Sequence, residues 1–212
     1  MSTWCVSVFF SQLLITLTEQ YVSCILVIAL DTSPTRLALA RHNAQIYGVA
    51  DRIEFILSDY ISFANTYLAF PSHSQEAAER KIDVVFLSPP WGGPSYLSGT
   101  TASTTSSPTK NAPESPPSVE SHPSYSLSAI QPIQGAALFQ LSRRVTRNIA
   151  YYLPRNTILG EISNLLESEP SPAETVESPD MVEVEEEWMG TKLKALTCYF
   201  GGLAVGQEHL FD

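Results

Sequence analysis

The apolar run Asp83-Val84-Val85-Phe86-Leu87 passes directly into Ser88-Pro89-Pro90-Trp91-Gly92-Gly93. No other junction constrains the fold as strongly. A short β-branched and aromatic run led in by an acid reads as a buried strand, and the prolines and glycines end it abruptly. Each proline fixes its own φ and drives the preceding residue into an extended conformation. The chain therefore delivers a hydroxyl, two backbone carbonyls and a flat indole to the carboxyl end of a strand, the edge where open α/β sheets bind ligands. The Ser88 hydroxyl and a carbonyl of the proline segment can accept the hydrogens of a planar amine while Trp91 stacks on its ring. Accepting those hydrogens orients the nitrogen lone pair and stabilises the positive charge that develops as the nitrogen is alkylated. A plain Pro-rich turn that buries a tryptophan has the same composition, so the tetrapeptide alone leaves both readings open.

The flanking elements repeat the strand-then-polar pattern. Ile25 to Leu30 is a strand with Asp31 at its carboxyl end, and Ser33-Pro34 then supplies an N-cap and first helical residue. Leu37, Ala40, Ala44 and Tyr47 recur at helical spacing before Gly48, a suitable stop. Ile53 to Leu57 is a further strand, followed by Ser58-Asp59-Tyr60. An acid between a strand and such a helix can accept both hydroxyls of a ribose, and Asp59 stands where it can take an amino group of a base. Upstream, residues 4–10 and 24–30 read as strands around a short helix from Ser11 to Glu19.

Order is expected to resume near Ile130 after a Ser/Thr/Pro insertion at about 97–128, which lacks the apolar residues needed to offset its ordering entropy. Ile133, Ala137, Leu141, Val145 and Ile149 then suggest one helical face. Ile149 to Leu153 is the next strand and ends in Pro154-Arg155-Asn156. A helix from Thr157 to Ser168 packs through Ile158, Ile162 and Leu165, and an acidic Pro/Ser loop at about 167–180 separates it from a closing hairpin. In that hairpin Val182 and Val184 alternate with Glu183, Glu185 and Glu187 before Gly190-Thr191 turns the chain.

The net charge of −10 argues against a protein that coats nucleic acid through a broad basic surface. Four of the 12 bases are nevertheless Arg143, Arg144, Arg147 and Arg155, a candidate local basic patch. Three cysteines without metal-ligand spacing and four scattered histidines predict no metal site and a reducing compartment. The apolar start is interrupted by Ser11, Gln12, Thr16, Glu19 and Gln20 and lacks a charged leader, so neither a membrane span nor a signal peptide is expected.

The string from Asp83 to Tyr96 closely resembles the signature segment of the trimethylguanosine synthases, S-adenosylmethionine-dependent enzymes that methylate the cap of small nuclear and nucleolar RNAs. Asn148 to Asn156 and the last strand, with Lys192-Leu193-Lys194 and Tyr199-Phe200-Gly201, resemble them too. The resemblance spans about Val27 to Leu203 apart from the two loops. It implies one Rossmann-like class I methyltransferase domain over 1–212: an α/β fold, mostly parallel, with a C-terminal antiparallel hairpin. It implies S-adenosyl-L-methionine as cofactor, held by Asp31 at its ribose, Asp59 at its adenine and Ser88. It assigns Ser88, Pro89 and Trp91 to catalysis, and Trp91, Pro90, Arg155 and Asn156 to the substrate, with Arg155 on the cap phosphates. Capped small nuclear or nucleolar RNA is the implied partner, and the expected protein is a monomer of the nucleus (nucleolus or Cajal body), with a cytoplasmic stage. The implied chemistry is methyl transfer to the exocyclic N2 amine of 7-methylguanosine.

Upstream the resemblance breaks. Trp4 to Ser11 contains neither glycine nor acid, where the family has an acid and a Gly-rich turn against the cofactor, so the first strand and cofactor loop, over 1–23, read as degenerate. This suggests a chain shortened at its N-terminus and impaired in methyl transfer. Two other readings stay open: an amino-methyltransferase for adenine N6 or glutamine, and a cap-binding or interaction module without catalysis.

Overall fold

Alternating β-branched strands and capped helices predict a sheet with helices on both faces, and the computed structural model has that form. It describes residues 4–8 (backbone alone), 26–70, 81–91, 123–167 and 181–204. The strands are β1 Trp4–Val8, β2 Leu26–Asp31, β3 Ile53–Leu57, β4 Ile82–Leu87, β5 Ile149–Pro154, β6 Val182–Met189 and β7 Lys192–Phe200. The helices are α1 Pro34–Ile46, α2 Tyr60–Ala69, α3 Gly135–Val145 and α4 Leu159–Glu167. Seven strands form one sheet in the order β3-β2-β1-β4-β5-β7-β6. The pairings from β3 to β5 are all parallel, and only β7 runs against its neighbours.

Two apolar layers cover the sheet. On one face Leu30, Leu87, Tyr151, Leu153 and Phe200 meet Tyr60 and Ala64 of α2, Leu138 and Phe139 of α3, and Ile162 and Leu165 of α4. On the other, Val27, Ala29 and Ile53 lie under Ala44 of α1. The small side chains of Ala40 and Ala44, both buried, let α1 approach closely. Tyr60 ties α2 to α3: its hydroxyl donates to Ser142 Oγ at 2.8 Å, which in turn donates to the Leu138 carbonyl. Burial pushes the Tyr60 phenol up to about 12.

Several expectations need correction. The strand expected over residues 4–10 forms as β1 Trp4–Val8, an interior strand paired with both β2 and β4. Order resumes well before Ile130: Tyr125 and Leu127 are buried, and Tyr125 bridges Thr157. The buried face of α3 is Gly135, Leu138, Phe139 and Ser142, with Ile133, Leu141 and Val145 at its rim. Tyr47, Ile158 and Val184 are exposed, the last on the edge strand β6. The helix expected from Ser11 to Glu19, the insertion from 97 to 122 and the loop from 168 to 180 lie outside the described residues.

Candidate active site

Parallel strands bring their carboxyl ends to one edge, so Asp59, Asp31, Ser88 and Arg155 follow one another along it after β3, β2, β4 and β5. Chain order reverses between β1 and β4, and that switch point opens a crevice in sheets of this type. Ser88 stands beside it. At about 4.8 Å per strand, Asp31 lies two strand steps on one side of the Ser88 strand and Arg155 one step on the other.

Asp31 is the most constrained of these residues. Only 5% of it is exposed, and it closes the β2 register opposite Leu57. Its Oδ1 accepts the Ser33 N–H at 2.6 Å and Arg36 Nη2 at 2.8 Å, and its Oδ2 accepts Arg36 Nε at 2.8 Å. Local sequence builds this clamp. Ser33 caps α1, accepting the Arg36 N–H, and Pro34 starts the helix, which turns the Arg36 guanidinium back over the strand end. The hydrogen bond to Asp31 holds the guanidinium above its ordinary value. A carboxylate so placed can accept the two hydroxyls of a ribose, but Arg36 takes those positions here.

Asp59 serves as the N-cap of α2, its Oδ1 accepting the Ser62 N–H at 2.9 Å. Hydrogen bonds from the side chain and backbone of Ser62 hold it below the usual carboxylate range. Asp59 and Asp31 are linked through their strand ends, where Ser58 N–H donates to the Asp31 carbonyl at 3.2 Å.

Ser88 and Pro89 are buried, Pro90 is exposed, and Trp91 is half-buried against the main core. The Trp91 ring stacks on Tyr152 with centroids 5.0 Å apart and planes at 30°. Arg155 directs Nη1 to the Leu193 carbonyl of the hairpin at 3.2 Å, one of five donors on its planar fork. Asn156 Nδ2 donates to the Pro123 carbonyl at 2.6 Å, and the Asn156 carbonyl accepts the Tyr125 N–H. That side chain therefore fastens the segment behind the insertion, a structural duty that the sequence did not suggest.

The basic patch is not at this edge. Arg143 and Arg144 end α3, and Arg147 precedes β5, whereas Arg155 follows it. A six-residue strand separates Arg147 from Arg155 by about 20 Å, so those arginines belong to the opposite edge of the sheet. An open cleft of about 300 Å³, lined by Ser126, Gln134, Gln140, Glu161 and Asn164 among others, includes none of the expected site residues. Among the described residues no three His, Cys, Asp or Glu gather as a metal site, and no helix is long and apolar enough to cross a membrane.

Arg36 and Tyr152 were missed from the sequence. An arginine at the third helical position after a capping serine was the signal for the first. The alternation of β5, which turns Tyr152 away from buried Tyr151 and Leu153, was the signal for the second.

Residues 15–113 and 106–203 match the family model described as RNA cap guanine-N2 methyltransferase. The chain belongs to that family. The match begins beyond β1, where the resemblance also failed. Among curated relatives of this cap methyltransferase family, the trimethylguanosine synthase of Schizosaccharomyces pombe is 32% identical over 147 residues, 69% of this chain and 48% of that protein. The trimethylguanosine synthase of Saccharomyces cerevisiae is 26% identical over 137 residues, 65% of this chain and 34% of that protein. The chain thus spans about half the length of the first relative and about a third of the second. Among solved structures, one described as a SAM-dependent methyltransferase from Streptococcus mutans matches 94% of this chain and 44% of its own, with a TM-score of 0.54 at 8% identity. A methyltransferase structure from Porphyromonas gingivalis matches 95% and 37%, with a TM-score of 0.53 at 11% identity. These likenesses establish the class I methyltransferase fold for the family member described here.

Proposed function

We propose that this chain transfers a methyl group to the exocyclic N2 amine of the 7-methylguanosine cap of small nuclear or nucleolar RNA, with S-adenosylmethionine as donor. The observation that carries the reading is positional. Ser88-Pro89-Pro90-Trp91 stands at the switch point, between the acids of β2 and β3 and the arginine of β5. Family membership and two trimethylguanosine synthase relatives support it.

S-adenosylmethionine, when bound, supplies an electrophilic methyl group on its sulfonium. Asp31 suits its ribose, because both carboxylate oxygens already accept oriented N–H donors that a diol can replace. Asp59 lies beside it for the adenine amine, sharing its carboxylate with the α2 cap. The half-buried Trp91 ring offers a face to 7-methylguanine, whose positive charge makes this a cation–π contact of roughly 1–2 kcal/mol. The Ser88 hydroxyl and the carbonyls of the proline segment accept the amine hydrogens and aim its lone pair, and the amine proton leaves after transfer. Arg155 suits the cap phosphates through the donors not committed to Leu193. Nuclear residence and action as a monomer complete the reading.

Incubation with labelled S-adenosylmethionine and RNA oligonucleotides bearing a 7-methylguanosine or an unmethylated guanosine cap tests it. Label on the former and not the latter is expected. Label on neither, with both ligands bound, would leave the cap-binding module. That second reading is favoured by one feature, the absence of any glycine between Phe9 and Ile25. Label on adenine or a glutamine peptide instead would transfer the site to another amine.

A further inference from the structure

We infer that Tyr152 is the positioning residue that turns the Trp91 indole into a one-sided stacking platform, an inference that rests on the cap reading above. Strand alternation sends Tyr152 to the face that carries Phe86, and the two rings lie 6.3 Å apart, tilted by 37°. Tyr152 is half-buried there, and the Trp91 ring stacks upon it at 5.0 Å and 30°. The base of this stack is fixed by the hairpin. Tyr152 pairs with Thr197 of β7, and Thr197 Oγ1 donates to Glu187 of β6 at 2.6 Å.

Two consequences follow for a ligand base. Tyr152 covers one face of the indole, so a base that stacks on Trp91 must use the opposite face. The stack also removes rotamer freedom from Trp91 before any ligand arrives, which lowers the ordering cost of binding. Pro89 and Pro90 fix the backbone that leads to Trp91, but they do not fix its side-chain torsions. Tyr152 supplies that second constraint. The contacts that form the stack are made by the ring, which phenylalanine keeps.

The test compares wild type, Tyr152→Phe and Tyr152→Leu in titrations with 7-methylguanosine triphosphate, guanosine triphosphate and S-adenosylhomocysteine. Tyr152→Leu should weaken 7-methylguanosine triphosphate about three- to tenfold, the range of an aromatic pair, and leave S-adenosylhomocysteine unchanged. Tyr152→Phe should restore wild-type affinity, which a loss of general stability would not allow. In a Trp4→Phe, Trp188→Phe background, Trp91 fluorescence should become more accessible to a neutral quencher in Tyr152→Leu alone. Cap affinity in Tyr152→Leu equal to wild type would overturn the inference and leave the cap reading standing. Equal weakening of both ligands in Tyr152→Leu and Tyr152→Phe would also overturn it, assigning Tyr152 to the fold. A wild-type protein that shows no preference for the 7-methylated nucleotide would instead overturn the cap reading and the inference with it.

Discussion

Arg36 grips Asp31 through two parallel hydrogen bonds of 2.8 Å, one to each carboxylate oxygen. Together with the Ser33 N–H at 2.6 Å, they give Oδ1 two donors and Oδ2 one. A carboxylate has about four acceptor positions, so a ribose diol engages both oxygens of Asp31 only as Arg36 withdraws. The guanidinium is half exposed and can turn into solvent, whereas Asp31 is buried and cannot.

Arg36→Ala is therefore expected to tighten binding of S-adenosylhomocysteine. Because the arginine is half exposed and screened by solvent, the pair contributes about 1 kcal/mol, which sets the gain at roughly fivefold. Asp31→Asn should weaken the same ligand tenfold or more, since an amide oxygen is a poorer acceptor and carries no charge. Calorimetric titration checks both. Weaker binding by Arg36→Ala would make the arginine a ligand contact rather than a competitor.

Asp59 has a structural duty that can be measured separately from any ligand. Removing an N-cap side chain costs about 1 kcal/mol, so Asp59→Ala should lower stability by that amount at neutral pH. Hydrogen bonds from Ser62 hold the folded-state pKa of Asp59 below its unfolded value. The stabilisation is thus complete above the ordinary carboxylate range and fades as pH falls through the lower folded value. The wild-type advantage over Asp59→Ala should shrink below about pH 4, as read from urea midpoints across pH. A constant difference from pH 7 to pH 3 would mean that the carboxylate charge plays no part in the cap.

Gly201 and Gly190 both adopt positive φ, +68° and +60°, but with different surroundings. A Cβ at Gly190 meets nothing within 4 Å, whereas one at Gly201 meets the backbone carbonyl of Arg147. Gly190→Ala should cost about 1 kcal/mol, the strain of the left-handed region alone. Gly201→Ala should cost at least twice that, because backbone must shift between the ends of β7 and β5. Equal urea midpoints for the two variants would contradict this ordering.

Strands were the most legible part of the chain. Ile53–Leu57 was bounded from its β-branched and aromatic run, and the Ser33-Pro34 start of α1 followed from capping chemistry. Asp31, Asp59, Ser88 and Arg155 were singled out because each ends a strand, and parallel strands bring such ends to one edge. What escaped depends on contacts that local pattern does not encode. The buried face of α3 includes Gly135 and Ser142, small positions that fit beneath the Tyr151 and Tyr60 hydroxyls, so apolar spacing pointed to its rim instead. Tyr125 and Leu127 were hidden by averaging over a polar insertion, although Glu161 binds that segment through Ser126 and the Leu127 N–H. The Trp91–Tyr152 stack joins residues far apart in sequence and follows only from the β4–β5 pairing.

The central claim is that Trp91 forms the floor of a cap site at the end of β4. Titration of wild type and Trp91→Ala with 7-methylguanosine triphosphate and guanosine triphosphate tests it most directly. Wild type should prefer the methylated nucleotide about tenfold, and Trp91→Ala should lose that preference along with at least tenfold in affinity. Unchanged affinity and preference in Trp91→Ala would contradict the account.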